Sequence, residues 1–559
     1  MSDLEVPVLI VGGSLVGMSM AMLLGHHGVK SLVVEHHRGT AIHPRAAQVS
    51  QRTMEIFREL GIEAIIRERS EAQFVQDGSI VAVDTLAGRE LATFIANLND
   101  GVRDVSPTER LFISQSVLEP LLKTRAQELG AELRFATEMK AFEQDGGGVT
   151  AVIHQRDNGK PETVRASYMI AADGAHSGIR KELKIGMRGR GVFSKSATIY
   201  FRANIAPLLG NRNLSVIYVN NPVLRGFFRF EKPFETGFLA INALGDPSTP
   251  ITDVSSKLNE QRCMDLVRYA LGDETLPVTI ESVMSWNAAA DVAERFEDGR
   301  VFLVGDAAHV MPPNGGFGGN TGVQDAHNLA WKMALALRGV AGPGLMSTYE
   351  AERRPVAIFT TEQAYARYVT RTAPFLGTDS IEPIAGDLDI ELGYAYDSPA
   401  ITRDSEPAPP HEDPRHSRGR PGTRAPHVWI ERRGEQLSTL DLFGRGFVLI
   451  VGPEGDRWAD AARAAAAALK VDLEAYRVES RIRAPRQGSP YIAEHRPPTL
   501  HGDVADAFGL TEDGALLVRP DGFVAWRAAP AVAEDEEPLD HARVMERALG
   551  SAIGVKERG

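Results

Sequence analysis

Short apolar runs that stop at glycines recur along the chain, and each predicts a buried parallel strand. Residues 8–11 form the first run, which ends at Gly12. Apolar positions at helical spacing follow and stop at Gly28, and residues 31–35 then form a second run. A strand, a helix and a second strand in this order predict a βαβ unit at the start of the chain.

Later segments alternate between helical and strand patterns. Ser116 and Glu119 have the spacing of a capping box, which predicts that a helix begins there. Alternating apolar positions predict a β-meander over residues 133–170 and a strand-rich region over residues 185–285. Another buried strand is predicted at residues 301–304, and a helix follows that Thr321 and Gln324 would cap.

The last quarter of the chain reads as a separate small unit. Residues 403–427 contain six prolines and many charges, which favours a linker. A strand is predicted at residues 447–451, and an alanine-rich helix at residues 456–469. Asp521-Gly522 lies between two apolar runs and predicts the turn of a hairpin.

Composition and charge exclude several classes of protein. The chain has 559 residues, of which 43% are apolar and 24% charged, as in ordinary globular proteins. Its net charge of −13 argues against a nucleic acid or an anionic membrane as a partner. Residues 6–25 carry no charge, but Pro7 and several glycines interrupt them, so they fit a strand and helix better than a membrane span.

The single cysteine, Cys263, narrows the chemistry further. One thiol cannot form an internal disulfide, a redox pair or a thiolate zinc cluster, and no metal site is predicted. The acidic first residues lack the positive charge that begins a signal peptide. We therefore expect a cytoplasmic protein.

The turn after the first strand is the first candidate for binding chemistry. Gly12-Gly13-Ser14-Leu15-Val16-Gly17 has the strand-to-helix context of the dinucleotide fingerprint, with Ser14 in place of the middle glycine. Glu35 ends the second strand, where a carboxylate can accept hydrogen bonds from a ribose. An acid there disfavours a 2′-phosphate, so the pair predicts an adenosine diphosphate moiety rather than NADP. The alternative is a glycine turn in an unrelated α/β protein.

A second candidate follows the predicted strand at residues 301–304. Gly305-Asp306 begins it, and a loop rich in proline and glycine leads to the next helix. A carboxylate at the end of a parallel strand can bind sugar-like hydroxyls. Free backbone N–H groups at a helix start stabilise negative charge, which a reduced flavin ring acquires and a nicotinamide does not. The alternative is a glycine-rich surface loop with His309 merely packed beside it.

A third motif contains Asp173-Gly174, Ser177 and Arg180. In combination with the two motifs above, it resembles the flavoprotein aromatic hydroxylases, the single-component FAD monooxygenases. The resemblance covers residues 1–380, and residues 43–46 and 51–57 also fit the family. The tail, including residues 437–444, resembles the thioredoxin-like domain of the aromatic-polyketide branch, which includes the aklavinone hydroxylases.

The resemblance implies an α/β fold. It would comprise a Rossmann-like FAD-binding domain, an inserted β-sheet substrate domain and a C-terminal thioredoxin-like domain. The implied limits are 1–184 and 286–402 for the FAD-binding domain with its long helices, 185–285 for the substrate domain, 403–427 for the linker and 428–559 for the last domain. That last domain has no cysteines, so we expect a structural or assembly role.

The resemblance also implies roles for single residues. Glu35 and the first turn would hold the ADP half of FAD, and Arg45 would lie near the flavin and the pyrophosphate. Asp173 would serve both FAD and NAD(P)H, and Asp306 would bind the ribityl chain. The full set predicted to contact FAD is Gly12, Ser14, Leu15, Val16, Gly17, Glu35, Arg45, Gln115, Met139, Asp173, Gly305, Asp306, Pro313, Gly318, Gly319 and Asn320.

The implied reaction consumes NAD(P)H as a transient reductant and O2. Oxygen would add to the reduced flavin as a C4a-hydroperoxide, and the phenolate ring of a polycyclic aromatic, polyketide-type substrate would attack it. Arg371 would stabilise the phenolate and Tyr218 would relay a proton. By residue type alone, Arg371 also fits a solvated charge, and Tyr218 also fits sheet packing.

Two other functions fit the same motifs. A Baeyer–Villiger oxygen insertion would use the same scaffold on a ketone, and a non-catalytic flavoprotein would only bind an aromatic ligand. In each case we expect a monomer or a homodimer that has no nucleic-acid or membrane partner.

Overall fold

The computed structural model describes residues 2–43, 48–157, 159–246, 249–404, 409–432, 434–479, 497–528 and 540–555. Within them the chain forms three large sheets and two small pairs of strands. The described helices are Leu15–His26, Gln51–Glu59, Glu63–Gln73, Gln115–Glu128, Gly178–Glu182, Ala206–Leu209, Glu260–Leu271, Phe317–Leu337, Thr348–Arg371, Asp387–Glu391, Asp456–Leu469, Val504–Phe508 and His541–Ala552. Short 3-10 turns are Ser255–Lys257, Gly305–Ala307, Pro374–Leu376, Pro414–His416 and Thr439–Leu442.

The first sheet has a parallel core and begins with the predicted βαβ unit. Its main path runs Glu297–Asp298, Val301–Leu303, Pro161–Ala171, Leu4–Val11, Ser31–Val34 and Glu132–Arg134. Strands Gly148–Gln155 and Thr137–Asp145 extend it as antiparallel hairpins from Pro161–Ala171. Because the parallel strands end at one edge, the turns after residues 11, 171 and 303 lie together. This is the Rossmann-like architecture that the sequence predicts.

The second sheet is almost wholly antiparallel and stands beside the first. Its order is His309–Val310, Thr279–Ala293, Met187–Arg202, Thr236–Leu244, Leu224–Glu231, Leu214–Asn220, Ser79–Val83 and Glu90–Ile95. The last two strands come from the N-terminal part of the chain, and Thr279–Ala293 crosses the limit predicted at residue 285. The sheet therefore draws strands from three stretches of sequence, although the domain limits themselves remain a prediction.

The third sheet belongs to the C-terminal unit. Its order is Thr499–Leu500, Leu473–Val478, Phe447–Val451, Ala515–Val518 and Val524–Arg527. Phe447–Val451 and Leu473–Val478 are parallel and joined through helix Asp456–Leu469. Strand Thr499–Leu500 and helix Val504–Phe508 come next, and then an antiparallel hairpin and helix His541–Ala552. The βαβ and ββα units of this sheet form a thioredoxin-like arrangement. The hairpin turns at Gly522, whose φ of 76° is left-handed as the Asp-Gly pair predicts. The small pairs are Gln48–Val49 with Leu111–Phe112 and Trp429–Arg432 with Glu435–Ser438.

Both predicted capping boxes are wrong. The helix assigned to Ser116 begins at Gln115, so Ser116 lies inside its first turn, and Glu119 bonds to another part of the chain. The helix assigned to Thr321 begins at Phe317 after Gly316, and the Thr321 hydroxyl donates to the Phe317 carbonyl, 2.9 Å away. In both cases the helix begins before the predicted capping residue, so that residue lies inside the helix and cannot cap its end.

A buried ionic cluster joins the C-terminal unit to the two long helices. The Glu352 carboxylate accepts hydrogen bonds from both terminal nitrogens of Arg519, at 2.7 and 2.9 Å, and from Lys332 Nζ at 2.8 Å. All three side chains are fully buried. A second cluster pairs Glu55 with Arg52 and Arg424. The thioredoxin-like unit is therefore held by buried charges as well as by apolar packing.

These clusters predict loss of stability in acid. Burial alone would raise the pKa of the Glu55 carboxyl, but the charges of Arg424 and Arg52 outweigh it and hold this pKa below its ordinary value of 4.5. The pKa of Glu352 is lowered in the same way by Arg519 and Lys332. A carboxyl whose pKa is lower in the folded state contributes stability that is complete above the unfolded-state pKa and is lost as the pH falls through the folded-state pKa.

We therefore expect the free energy of unfolding, measured by urea titration, to fall as the pH is lowered below about 4.5, with little change between about pH 5 and pH 7 from these groups. The variant Glu55→Gln should start less stable and show a shallower acid slope. An acid slope identical to that of the wild type would contradict the assignment to Glu55.

Candidate active site

The first glycine turn and the segment after residue 304 are in direct contact. A β-carbon added to Gly305 would lie 2.9 Å from Val16 Cγ2, and one added to Gly322 would lie 2.6 Å from the same atom. One added to Gly319 would lie 2.9 Å from Leu15 Cδ2. The glycines therefore allow the two segments to approach, and together they form one wall of a cavity.

The first turn has the shape that a pyrophosphate site needs. Gly12 has φ +110°, and a β-carbon there would lie 2.2 Å from the Ala172 carbonyl oxygen. A β-carbon on Gly17 would lie 1.9 Å from the Gly12 carbonyl oxygen. Helix Leu15–His26 begins immediately after Ser14, so the positive end of its dipole faces the turn. A side chain at either glycine would close this cradle.

Glu35 is positioned at the end of strand Ser31–Val34. Its carboxylate accepts hydrogen bonds from the backbone N–H groups of Gly13 and His37, at 2.7 and 2.8 Å. Burial alone would raise the pKa of the Glu35 carboxyl, but these hydrogen bonds outweigh burial and hold the pKa below its ordinary value. The group is therefore an anion able to accept ribose hydroxyls. Met139 lies nearby and half-buried on strand Thr137–Asp145, whose first residue donates its N–H to the Glu35 carbonyl.

Glu119 lies under the first turn, although its spacing in the sequence predicts only a capping role. One carboxylate oxygen accepts from the Ser14 hydroxyl and from Leu15 N–H, at 2.5 and 3.1 Å, and the other accepts from Ala41 N–H at 2.6 Å. Gln115 donates to both Ser14 and Glu119. Ser14, which replaces a glycine of the fingerprint, is thus bonded into the floor of the site. The Ser14 side chain is the only departure of this turn from the fingerprint, and its hydroxyl is hydrogen-bonded to Glu119.

The motif after residue 172 is hydrogen-bonded to the motif after residue 304. Arg180 donates to the carbonyls of Ala307 and Ala175, at 2.8 and 3.0 Å, and so holds the loop after residue 172 against the loop after residue 304. Asp173 accepts from Ile179 N–H, and its other carboxylate oxygen is buried without a hydrogen-bond partner among the described residues. The predicted contact residue Arg45 lies outside the described residues, so its position stays a prediction.

Asp325 holds the Gly305 turn from inside the protein. It accepts from Gly305 N–H at 3.1 Å, pairs with His309 Nε2 at 2.7 Å and accepts from Arg353 Nε at 2.8 Å. Burial alone would raise the pKa of the Asp325 carboxyl, but the charges of His309 and Arg353 lower it. Neither Asp325 nor Arg353 lies in a sequence motif, so local patterns do not identify them. His309 is buried and acts in this network, whereas Asp306 is exposed on the cavity side.

A cavity of about 490 Å³ lies between this wall and the second sheet. Of the predicted residues, Leu15, Asp306, Pro313, Gly318, Gly319, Asn320, Tyr218 and Arg371 line it. The sheet contributes a mostly apolar and aromatic face, whose members include Val216, Phe227, Phe238, Met284 and Trp286. The volume is in the range of small-molecule sites. The cavity therefore joins a glycine-rich wall at the start of helix Phe317–Leu337 to an aromatic wall.

Asn320 and Asn314 shape the glycine-rich wall. Asn320 accepts from Ser50 N–H at 2.9 Å and donates to the Gln48 and Gly316 carbonyls, so it pins the helix start to the strand beside it. Asn314 donates to the Tyr218 hydroxyl at 3.3 Å and to the Thr372 hydroxyl at 3.1 Å. These two hydrogen bonds link the loop to the second sheet and to the end of helix Thr348–Arg371.

Arg371 and Tyr218 approach the cavity from different elements. Arg371 is the last residue of helix Thr348–Arg371 and lies over the Phe94 ring, 5.3 Å from its centre. Phe94 in turn packs edge-on against Tyr218, with ring centres 5.6 Å apart. The structure brings these two predicted residues to one cavity, and it leaves their catalytic roles as predictions.

Comparison with known proteins agrees with this architecture. A model of an FAD binding domain matches residues 5–364, and a model of the aromatic-ring hydroxylase C-terminal domain matches residues 418–552. The chain is 49% identical to a 4-methyl-5-nitrocatechol 5-monooxygenase from Burkholderia sp, over 96% of each chain. It is 37% identical to the tetracenomycin A2 monooxygenase-dioxygenase of Streptomyces glaucescens, over the full length of both.

Solved structures give the same result. A ternary complex of aklavinone-11 hydroxylase with FAD and aklavinone superimposes with a TM-score of 0.86 at 34% identity, covering 99% of this chain and 100% of that one. The protein belongs to the FAD-dependent aromatic-ring hydroxylases, the monooxygenase family that the sequence motifs resemble. The predicted fold class and the assignment as an FAD-dependent monooxygenase are confirmed.

The site fits FAD. The cradle formed by Gly12 and Gly17, the anionic Glu35 and the N–H groups around Gly318 suit the pyrophosphate, the ribose and the ring of this cofactor. When bound, FAD supplies the redox chemistry that activates O2, and NAD(P)H is the reductant typical of the family. Within the described part of the chain, no helix is long and apolar enough to cross a membrane.

Proposed function

We propose that the protein hydroxylates a phenolic, polycyclic aromatic compound of the polyketide type, with consumption of NAD(P)H and O2. One observation carries the proposal: the cavity places an aromatic sheet face opposite the glycine-rich wall that suits a flavin ring. Flat rings fit such a face, and the aromatic lining excludes water from the space between the walls. The relatives named for tetracenomycin and aklavinone support the polycyclic class.

In this proposal the protein's own groups position and polarise the substrate. Tyr218 holds a hydroxyl at the cavity and accepts a hydrogen bond from Asn314, which leaves its own proton available to an oxygen of the substrate. Arg371 supplies a permanent positive charge near Phe94 and the cavity rim. Both residues would favour the phenolate over the neutral phenol, and the phenolate has the more electron-rich ring.

A screen tests the proposal directly. Purified holoenzyme is mixed with NAD(P)H, O2 and each of a set of hydroxylated anthraquinones and naphthacenes, and cofactor oxidation and product mass are recorded. We expect at least one compound to stimulate NAD(P)H oxidation and to gain the mass of one oxygen atom. Stimulation by none of the compounds, or stimulation with only hydrogen peroxide as product, would count against it.

A single-ring substrate is the second candidate. The relative that is 49% identical over nearly the whole chain is named for a methyl-nitrocatechol. We therefore include 4-methyl-5-nitrocatechol and related catechols in the same screen. Faster turnover on these than on every polycyclic compound would favour the second candidate.

The same screen separates hydroxylation from the two further functions that fit the motifs. Oxygen inserted beside a ketone to give a lactone would indicate Baeyer–Villiger chemistry. Tight binding of an aromatic compound without stimulated NAD(P)H oxidation would indicate a non-catalytic binding protein. We expect the active species to be a monomer or a homodimer in the cytoplasm, which size-exclusion chromatography and cell fractionation would check.

The role of Tyr218 gives a further prediction. Tyr218→Phe should slow hydroxylation on the order of 100-fold, because it removes the hydroxyl that would relay the proton. FAD content should not change, since Tyr218 lies on the sheet wall. Tyr200→Phe is a matched control, because Tyr200 also lines the cavity from the sheet and carries no predicted role. Equal rates for Tyr218→Phe and the wild type would remove Tyr218 from the mechanism.

A further inference from the structure

The aromatic wall contains a buried cation that belongs to no sequence motif. Arg229 lies on strand Leu224–Glu231, is only 5% exposed and lines the cavity. Ile217 pairs with Phe228, so Arg229 and Tyr218 project from the same face of two neighbouring strands. The two side chains are therefore neighbours on the wall that faces the glycine-rich loop.

Arg229 has no counter-ion among the described residues. Its guanidinium stacks over the Phe112 ring, 3.6 Å from the ring centre, and lies 5.0 Å from the centre of Phe74. Nε donates to the Ser215 carbonyl at 3.3 Å, and Nη2 is buried with no hydrogen-bond partner in the described part of the chain. Burial lowers the pKa of Arg229 to about 9, and only the nearby Tyr218 opposes that shift. Guanidinium keeps its proton in proteins, so this is a buried positive charge that no described carboxylate neutralises.

The other cavity arginine has a different environment. Arg371 is half-buried and ends a helix of 24 residues, where the negative end of the helix dipole stabilises a cation. The helix end and partial contact with solvent therefore compensate part of the Arg371 charge. A desolvated cation such as Arg229 is costly unless an anion arrives, because aromatic stacking replaces only part of the lost hydration.

From these contacts we infer that Arg229 binds an ionised oxygen of the aromatic substrate, so that the cavity selects rings carrying an acidic phenol. The inference rests on the proposed function for the aromatic nature of the ligand, and it adds the residue that holds the ionised oxygen and the selection that follows from it. The class it favours is phenols acidified by a nitro group or by a quinone carbonyl on the same ring system. Simple phenols and their methyl ethers would bind poorly, since they leave Arg229 uncompensated.

The test uses dyes whose colour reports ionisation. Alizarin and 4-nitrocatechol absorb at longer wavelength as phenolates, and 1,2-dimethoxyanthraquinone has the shape of alizarin without the acidic protons. Each is titrated into holoenzyme at a pH below the dye's own pKa, and the flavin spectrum is subtracted. We expect wild-type protein to bind alizarin as the phenolate and to prefer it to the dimethyl ether by roughly 10- to 100-fold.

Three variants locate the effect. In Arg229→Met the bound dye should be neutral and the preference lost, and Arg229→Lys should restore part of both. Arg225→Met is the matched control: Arg225 is on the same strand, is 6% exposed and has a buried Nη1 with no described partner, but it does not line the cavity. The Arg225→Met protein should give the same spectrum of the bound dye as the wild type. FAD content and thermal unfolding show whether each variant is folded.

Three results would overturn the inference: neither dye binding to wild type, wild type binding alizarin in its neutral form, or an Arg229 variant binding the phenolate as tightly as wild type. If Arg229→Met does not fold, Arg229→Lys and the comparison of the two anthraquinones still decide the matter. The proposed function fails separately, if dyes and polyketides bind through Arg229 but none is hydroxylated in the presence of NAD(P)H.

Discussion

Replacing Gly17 with valine is expected to produce a folded protein that no longer retains FAD. The β-carbon alone would lie 1.9 Å from the backbone oxygen of Gly12, and the backbone of a tight turn cannot move aside as a flexible side chain would. The turn would open, and the N-terminal end of the helix would no longer face the pyrophosphate. We expect FAD affinity to fall on the order of 100-fold or more, measured by equilibrium dialysis and by flavin absorbance per chain.

Gly39→Val is the control for this experiment. Gly39 lies in the exposed loop beyond Glu35, and a β-carbon there meets no described atom within 4 Å. The Gly39→Val protein should retain FAD and have the circular dichroism spectrum of the wild type. If Gly17→Val bound FAD as tightly as wild type, the first turn would not be the pyrophosphate site.

The second large effect is expected on stability. Glu352→Ala would leave the buried cations Lys332 and Arg519 without the carboxylate that both contact, at 2.8 and 2.7 Å. Removing one partner of a buried ion pair costs about 3–5 kcal/mol, because the other charge stays desolvated. We expect this decrease in the free energy of unfolding by urea titration, with earlier proteolysis of the C-terminal unit.

A surface ion pair provides the comparison for this loss of unfolding free energy. Glu128, about half-exposed, pairs with Arg125 on the same helix, and Glu128→Ala should cost less than about 1 kcal/mol. The double variant Glu352→Met with Lys332→Met should recover part of the loss, since apolar groups of similar volume can replace a buried pair and Arg519 keeps its ion pair with Asp521. A Glu352→Ala protein as stable as Glu128→Ala would show that the cluster does not hold the two parts together.

The nucleotide half of the site could be predicted from the sequence because its determinants are local. A glycine turn between a strand and a helix needs its glycines for backbone reasons, and Glu35 follows at the end of the next strand. Asp521-Gly522 and helix Asp456–Leu469 were predictable for the same reason. These signals lie within a few residues of the structure they specify.

Other features depend on contacts between distant parts of the chain. Glu119 fits a capping box by spacing, but its carboxylate bonds to Ser14, about 100 positions away. Asp325 holds the Gly305 turn from a helix position that no motif marks. Arg229 looks in the sequence like an ordinary charged residue of a strand, and only the fold shows that no carboxylate accompanies it among the described residues. Single-sequence patterns report local preference and cannot report such partners.

The aromatic wall of the cavity is another feature that local sequence patterns do not predict. Its strands come from residues 79–95 and 309–310 as well as from residues 187–293, and the pairing of Leu214–Asn220 with Ser79–Val83 adds the first of these stretches to the sheet. No local pattern specifies a parallel pairing between segments this far apart. The aromatic residues were visible in the sequence, whereas their shared face was not.

An isotope experiment that follows the oxygen atom is the decisive test of aromatic hydroxylation by this protein. Holoenzyme is supplied with NAD(P)H, a hydroxyaromatic substrate from the screen and isotopically labelled O2, and the product is analysed by mass spectrometry and NMR. We predict one labelled oxygen per product, attached as a hydroxyl to a ring carbon, with one NAD(P)H consumed for each. Label in a lactone or ester, or label that appears only in hydrogen peroxide and water, would contradict this function.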